Sequence, residues 1–156
     1  MRRKDREVTD VTRMDAIIQA CDCARLGFAQ EGGVYIVPLN FAYLRDGDTP
    51  TFYFHGAKMG RKMDLIAQCP NVGFELDTNH AVHAADAGCD FSFRFQSVIG
   101  TGSVSLVDDP TEKKDALRRI VWHYSGKDAW TFTDAQADAV AVIKLTVAEM
   151  ACKEHH

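Results

Sequence analysis

The segment His55-Gly56-Ala57-Lys58-Met59-Gly60-Arg61-Lys62 holds the densest chemistry in the chain. It joins an aromatic β-type run, Thr51 to His55, to a stretch from Lys58 to Cys69 whose spacing predicts a helix. Three cations then crowd the helix start, where the aligned peptide dipoles disfavour positive charge. A sequence selected for helix stability alone would place acids there. An anion held by free backbone N–H groups and by the Arg and Lys side chains removes the conflict. Gly56 and Gly60 let the backbone approach such a ligand closely. A solvated basic turn is the plain alternative, but the strand exit, the two glycines and the adjacent His55 favour a phosphate site. His55 is then the candidate catalytic group, orienting an anionic substrate or passing a proton. The competing role is a histidine that only hydrogen-bonds a cofactor or the backbone.

A second constellation is Arg94-Phe95-Gln96-Ser97-Val98-Ile99-Gly100-Thr101-Gly102. With Phe93 and Phe95 facing a core, strand alternation turns Arg94 and Gln96 to the other face. Gln96 and Ser97 are neutral partners suited to phosphate oxygens. Gly100-Thr101-Gly102 is no dinucleotide fingerprint, because the residues after it continue as a strand instead of opening a helix. His80, His83, Asp86 and Cys89 share one polar stretch, but their spacing repeats no known metal site, and no metal is expected. Trp122, His123 and Tyr124 read as packing and helix surface.

The elements that must position these residues follow from periodicity. Met14, Ile17, Ile18 and Cys21 recur at helical spacing, predicting a helix over 12–22 with Thr12 and Asp15 as its capping pair. Leu26 and Phe28 begin an alternating run. Tyr35, Val37, Leu39, Phe41 and Tyr43 form a longer one, interrupted by Pro38, which belongs at an edge or bulge. With the turn Arg45-Asp46-Gly47-Asp48, residues 34–55 read as a hairpin. Further strands are expected at 72–76, 91–107 and 139–147, with residues 77–90 as a loop. Asp109-Pro110-Thr111-Glu112 opens a third helix that stops at Gly126. About six strands linked by hairpins and short helices predict a mainly β, α+β fold: a six-stranded antiparallel barrel with flanking helices.

The 156 residues suit one domain, 1–156, and the proportions of hydrophobic (46%) and charged (26%) residues are those of a soluble globular protein. A net charge of -4 argues against nucleic acid as the main partner, so Arg2, Arg3, Lys4 and Arg6 read as a solvated lead-in or a dimer contact. No apolar run approaches the roughly 20 residues of a membrane span, and no apolar stretch follows the basic opening to make a signal peptide. Five scattered cysteines, with Cys21 and Cys23 wrongly spaced for a zinc or thioredoxin-type motif, predict reduced thiols and a cytoplasmic location.

Taken in order, several pieces of the chain resemble the FMN-binding split barrels related to pyridoxamine 5'-phosphate oxidase, and within them the nitroimidazole-resistance (Nim) flavoproteins. The pieces are Met-Arg-Arg-Lys-Asp-Arg at the start, Val37-Pro38-Leu39-Asn40-Phe41, Phe52-Tyr53-Phe54-His55-Gly56-Ala57, Gly60-Arg61-Lys62, Pro70-Asn71-Val72 and Gln96-Ser97-Val98 leading to Gly100. The chain departs from the group at Met150-Ala151-Cys152-Lys153, where members commonly carry Gly-Lys.

The resemblance implies a split β-barrel that binds FMN at the interface of a homodimer. Arg61 and Lys62 match the basic pair on the phosphate, and Gln96 and Ser97 a phosphate-side polar contact. Val37, Pro38, Leu39 and Asn40 match the strand whose backbone lies along the isoalloxazine, with Phe54, His55 and Gly56 on its neighbour. The second subunit is expected to add residues near Trp130. The implied activity is electron transfer from reduced flavin to a small organic acceptor, with nitro compounds as candidates and a nicotinamide coenzyme or another flavin-type donor as reductant. Two other readings stay open: a non-catalytic module that stores or senses flavin or haem, and an enzyme using the deazaflavin F420.

Overall fold

A computed structural model describes residues 3–156. Met1 and Arg2 lie outside the described residues, and with them the first two residues of the basic opening. The chain forms β1 (Glu7–Val8), α1 (Val11–Ala20), β2 (Ala24–Gln30), β3 (Gly33–Leu39), β4 (Phe41–Asp46), β5 (Thr49–Gly56), α2 (Arg61–Gln68), β6 (Asn71–His83), β7 (Ser92–Leu106), α3 (Pro110–Ser125), α4 (Asp134–Asp138) and β8 (Ala141–His155). All pairings are antiparallel. The strands follow the order β3-β2-β6-β7-β8-β5-β4, with β1 added on β8. The sheet coils without closing, as expected of a split barrel, and it contains eight strands where periodicity predicted six.

The extra strands have identifiable causes. The alternating run 35–43 is two strands that part at Asn40, and β3 and β4 lie at opposite ends of the sheet order. Tyr35, Val37 and Leu39 of β3 and Phe41 and Tyr43 of β4 all pack on one core, so the alternation passes through the break unaltered. Only β4 and β5 form the predicted hairpin; β3 pairs with β2. Half of the expected loop 77–90 is strand, its residues 77–83 continuing β6. There β6 and the start of β7 reach past the core as a two-stranded arm, exposed on both faces, and carry no hydrophobic alternation to read.

The main core gathers Ile17 and Ile18 of α1 with Leu26, Phe28, Phe41, Phe52, Phe54, Phe74, Leu76, Val98, Ile143 and Leu145. Phe52 is its hub, with ring centroids of Tyr43, Phe74 and Phe41 at 5.0, 5.4 and 5.7 Å. A smaller cluster packs Ala116, Leu117 and Ile120 of α3 and Ala137 of α4 onto Ala42, Tyr53 and Val142. Glu112 ties α3 to the sheet, accepting from Tyr53 Oη at 2.7 Å and Lys144 Nζ at 2.9 Å. Gly100 lies where β8 crosses β7: a side chain there would run into the Glu149 carbonyl and the Phe74 ring.

The third helix starts and stops as read, with Asp109 accepting from Glu112 N at 2.7 Å, Pro110 at its first position and Gly126 left-handed at φ 65. The first helix does not. Its cap is Asp10, which accepts from Arg13 N at 2.7 Å. Asp15 is engaged elsewhere, accepting from Tyr43 Oη at 2.6 Å and from the Arg45 guanidinium at 2.9 Å.

Candidate functional site

The 55–62 segment leaves β5 at Gly56 and enters α2 at Arg61, three residues later than predicted. Gly60 precedes the helix with φ 116, a backbone that favours glycine, and offers no side-chain cap. The Gly60 carbonyl accepts from Met63 N at 2.8 Å, while the amides of Arg61 and Lys62 stay outside the helical ladder. Two cations therefore stand on an uncapped helix start, not three. Lys58 lies in the connection and pairs with Asp138 of α4 at 2.9 Å.

Arg61 and Lys62 are held differently. The exposed Arg61 guanidinium lies 4.6 Å from the Tyr35 ring centroid and donates to Gln30 Oε1 at 2.7 Å, so the β2–β3 hairpin presets its direction. Lys62 turns back over the end of β5: a Cβ on Gly56 would sit 2.5 Å from its Nζ. It is partly buried, makes no ion pair among the described residues, and burial alone pushes its pKa below the ordinary lysine value. His55 has an open edge, yet burial first and the Lys62 charge second push its imidazole below the usual histidine range. His55 is thus biased towards the neutral form beside a cation with nothing to neutralise it.

Phe54 is fully buried in the main core and anchors His55. Val37 and Leu39 pack partly on that core, while Pro38 on edge strand β3 and Asn40 just after it are exposed. The Asn40–Phe41 joint is pinned by α3, whose Tyr124 Oη accepts from Phe41 N at 3.0 Å and donates to the Asp22 carbonyl at 2.9 Å. His123 lies 2.8 Å from the Cys21 carbonyl, while Trp122 and Tyr124 of the same helix are exposed.

Gln96 and Ser97 are not brought to this corner. On β8, the residue opposite His55 is Val142, and the one opposite Gln96 is Glu154. The strand between them is roughly 40 Å long at about 3.3 Å per residue. The facing of β7 is also the reverse of the expectation: Gln96 points inward with Val98, whereas Phe93 is exposed. Phe93 stacks on His80 in the two-stranded arm, beyond the reach of the core. Ser97, the next residue along the strand, faces outward. Among the described residues no three of His, Cys, Asp and Glu cluster to hold a metal, and no helix is long and apolar enough to cross a membrane.

Several site residues escaped the sequence reading. Tyr35 and Gln30 position Arg61, and Asn79, Glu154 and Arg13 surround Gln96. Each acts on a partner 17 to 141 residues away, so no local spacing marks it.

On the sheet's outer face, Ile36, Gly27, Gly73 and Thr101 are successive cross-strand neighbours, flanked by Ile99 in the next row. Val34, Ile36 and Ile99 are 62%, 61% and 52% exposed on a face that also carries the Arg25–Glu75 ion pair, and they have no partner among the described residues.

The proposed 5-nitroimidazole antibiotic resistance protein of Bacteroides thetaiotaomicron has a similar structure, with 31% identity over 95% of this chain and 86% of that one and a TM-score of 0.81. The flavocytochrome Anf3 of Azotobacter vinelandii (24% identity, 100% and 72% covered) and the FAD and heme binding protein of Mycobacterium smegmatis (17%, 97% and 74%) share the fold, each with a TM-score of 0.81. No curated protein matches the chain by sequence. The family model described as pyridoxamine 5'-phosphate oxidase matches residues 10–154, a span that includes every candidate site residue and every strand but β1 and the last residue of β8, and the chain belongs to that family.

Proposed function

We propose that this chain binds FMN as a homodimer in a reducing compartment and passes electrons from the reduced cofactor to a small organic acceptor of the nitroimidazole type. The observation that carries the reading is Lys62, a partly buried ammonium with no carboxylate partner among the described residues, set with Arg61 on an uncapped helix start. A phosphate ester supplies the missing charge and accepts from the free amides. The residues fit that group: Gly56 leaves the space a side chain would take from Lys62, and Arg61 is already aimed by Tyr35 and Gln30. Membership of the family and the likeness to the Bacteroides protein support the flavin and the acceptor class.

Bound FMN supplies the electron chemistry, and the protein supplies orientation and electrostatics. Arg61 and Lys62 neutralise the phosphate. Val37 to Asn40 and Phe54 to Gly56 offer backbone along the ring system. His55, held towards neutrality, can accept a proton at its free ring nitrogen once an anion offsets the Lys62 charge, and so can orient an acidic substrate or move a proton to it. Gln96 and Ser97 lie too far along β7 to reach their own chain's phosphate corner, so Ser97, which faces outward with Ile99, contacts the flavin of the second copy, while Gln96 faces the barrel interior. The apolar face bearing Val34, Ile36 and Ile99 is where that copy docks. The five free thiols suit a reducing compartment.

The test is the absorption spectrum of freshly purified protein and titration of the apo form with FMN, FAD and F420. FMN is expected to be released on denaturation and to bind most tightly. Arg61→Ala with Lys62→Ala should give folded, colourless protein; full flavin occupancy in that variant rejects the assignment.

A further inference from the structure

We propose that Tyr124 is a positioning residue whose hydroxyl staples the two lips of the split barrel and so fixes the spacing of the backbone segments that flank the flavin ring. The inference rests on the reading that Val37 to Asn40 and Phe54 to Gly56 are those segments. They belong to opposite lips. Val37 to Leu39 end β3, at one end of the sheet order, and Phe54 to Gly56 end β5, which carries β4 at the other. Asn40 alone joins β3 to β4 along the chain. Continued by one residue, the β2–β3 register sets Asn40 beside Cys23, and the β4–β5 register sets it beside His55.

A joint of one exposed residue, outside both strands, leaves two soft dihedrals about which the lips can swing. Tyr124 removes that freedom from the last turn of α3. Its oxygen accepts from Phe41 N at 3.0 Å on the β4 lip, and its O–H donates to the Asp22 carbonyl at 2.9 Å, just before β2 on the β3 lip. One hydroxyl thus serves both lips, using its acceptor and its donor capacity together. Burial pushes the Tyr124 pKa above the ordinary tyrosine value, so the hydroxyl keeps the proton it donates. His123 repeats the bridge one residue earlier: its ring centroid lies 4.6 Å from that of Phe41, and its Nε2 2.8 Å from the Cys21 carbonyl. The Phe41 ring is fully buried, which holds β4 from below. A tyrosine needed only for packing would be buried as well, but Tyr124 is 42% exposed, and what it contributes is the hydroxyl. Lips spaced before the flavin arrives spare binding the cost of ordering them.

The experiment compares the wild-type chain with Tyr124→Phe, which keeps the ring and removes the staple. FMN titration by fluorescence, the absorption bands of bound flavin and its midpoint potential are the readouts, with circular dichroism melts as the check on folding. Loss of the bridging hydrogen bonds should lower FMN affinity about fivefold and shift both the bands and the potential. Glu112→Gln loosens the same helix at its other end, and it should melt lower than wild type with unchanged affinity and bands. Folded Tyr124→Phe with wild-type affinity, bands and potential would overturn the proposal, and so would equal flavin effects in the two variants. Should Tyr124→Phe fail to fold, amide exchange in the flavin-free wild type decides: a stapled Phe41 amide exchanges slowly, and exchange as fast as in an exposed loop rejects the staple. Wild-type protein that binds no FMN would instead remove the cofactor reading itself, and this inference with it.

Discussion

Lys62→Met should stabilise the flavin-free protein and weaken flavin binding together. A depressed lysine pKa means that at neutral pH the folded state holds a charge it disfavours: the penalty is present below the unfolded value of 10.5 and disappears only at alkaline pH. Methionine keeps the packing of the aliphatic stem and removes the uncompensated charge. For a partly exposed group the gain is on the order of 1 kcal/mol or less. In a chain of this size that raises the apo melting temperature by about 2–4 °C. A charge-assisted hydrogen bond to a phosphate contributes about 1.5–3 kcal/mol, so FMN affinity should fall roughly 10- to 150-fold. Differential scanning calorimetry of apo protein and fluorescence-quench titration with FMN read the two quantities. A variant that melts lower than wild type and binds FMN equally well would refute the reasoning, because Lys62 would then be a structural cation.

Three further outcomes follow from named contacts. Gly56→Ala should fold normally, since the added methyl meets only the mobile end of Lys62, yet bind FMN several-fold more weakly by displacing that ammonium; titration alongside a thermal melt separates the two. Ile99→Arg puts a charge on the flat outer face, so light scattering should report a monomer in place of a dimer, with loss of flavin occupancy. Glu112 has a pKa held below the ordinary value by the Tyr53 hydroxyl and the Lys144 ammonium, so its contribution is full above pH 4.5 and is lost as pH falls through the folded value. Glu112→Gln should lower stability by roughly 1 kcal/mol at pH 7 and by progressively less in melts taken towards pH 3.

The chemistry at the 55–62 corner was legible because it is local: cations at a helix start conflict with the dipole within one turn, and eight consecutive residues display the conflict. The third helix was legible for the same reason, its cap, proline and terminal glycine lying within its own span. Asp15 shows the limit. It carries the right side chain for the first turn of α1, but Tyr43 and Arg45 engage it more strongly than the helix does, and Asp10 caps instead. The arm of β6 and β7 stayed hidden because a ribbon exposed on both faces has no alternation, and the facing of β7 was inverted because Phe93 and Phe95 look like the start of a core face.

From the sequence alone came the β-rich class, the cationic corner at 55–62 and the family resemblance, all properties of residue type and short spacing. Tertiary structure alone decided that β3 and β4 part to opposite edges, that Lys58 belongs to Asp138 while Lys62 has no ion-pair partner among the described residues, and that Gln96 stands at the far end of β7 in the grip of Asn79 and Glu154. The division has a physical basis. Dipoles, caps and periodicity act over a few residues, whereas strand order and long-range hydrogen bonds depend on which apolar faces find one another when the chain collapses, and that is a property of the whole fold.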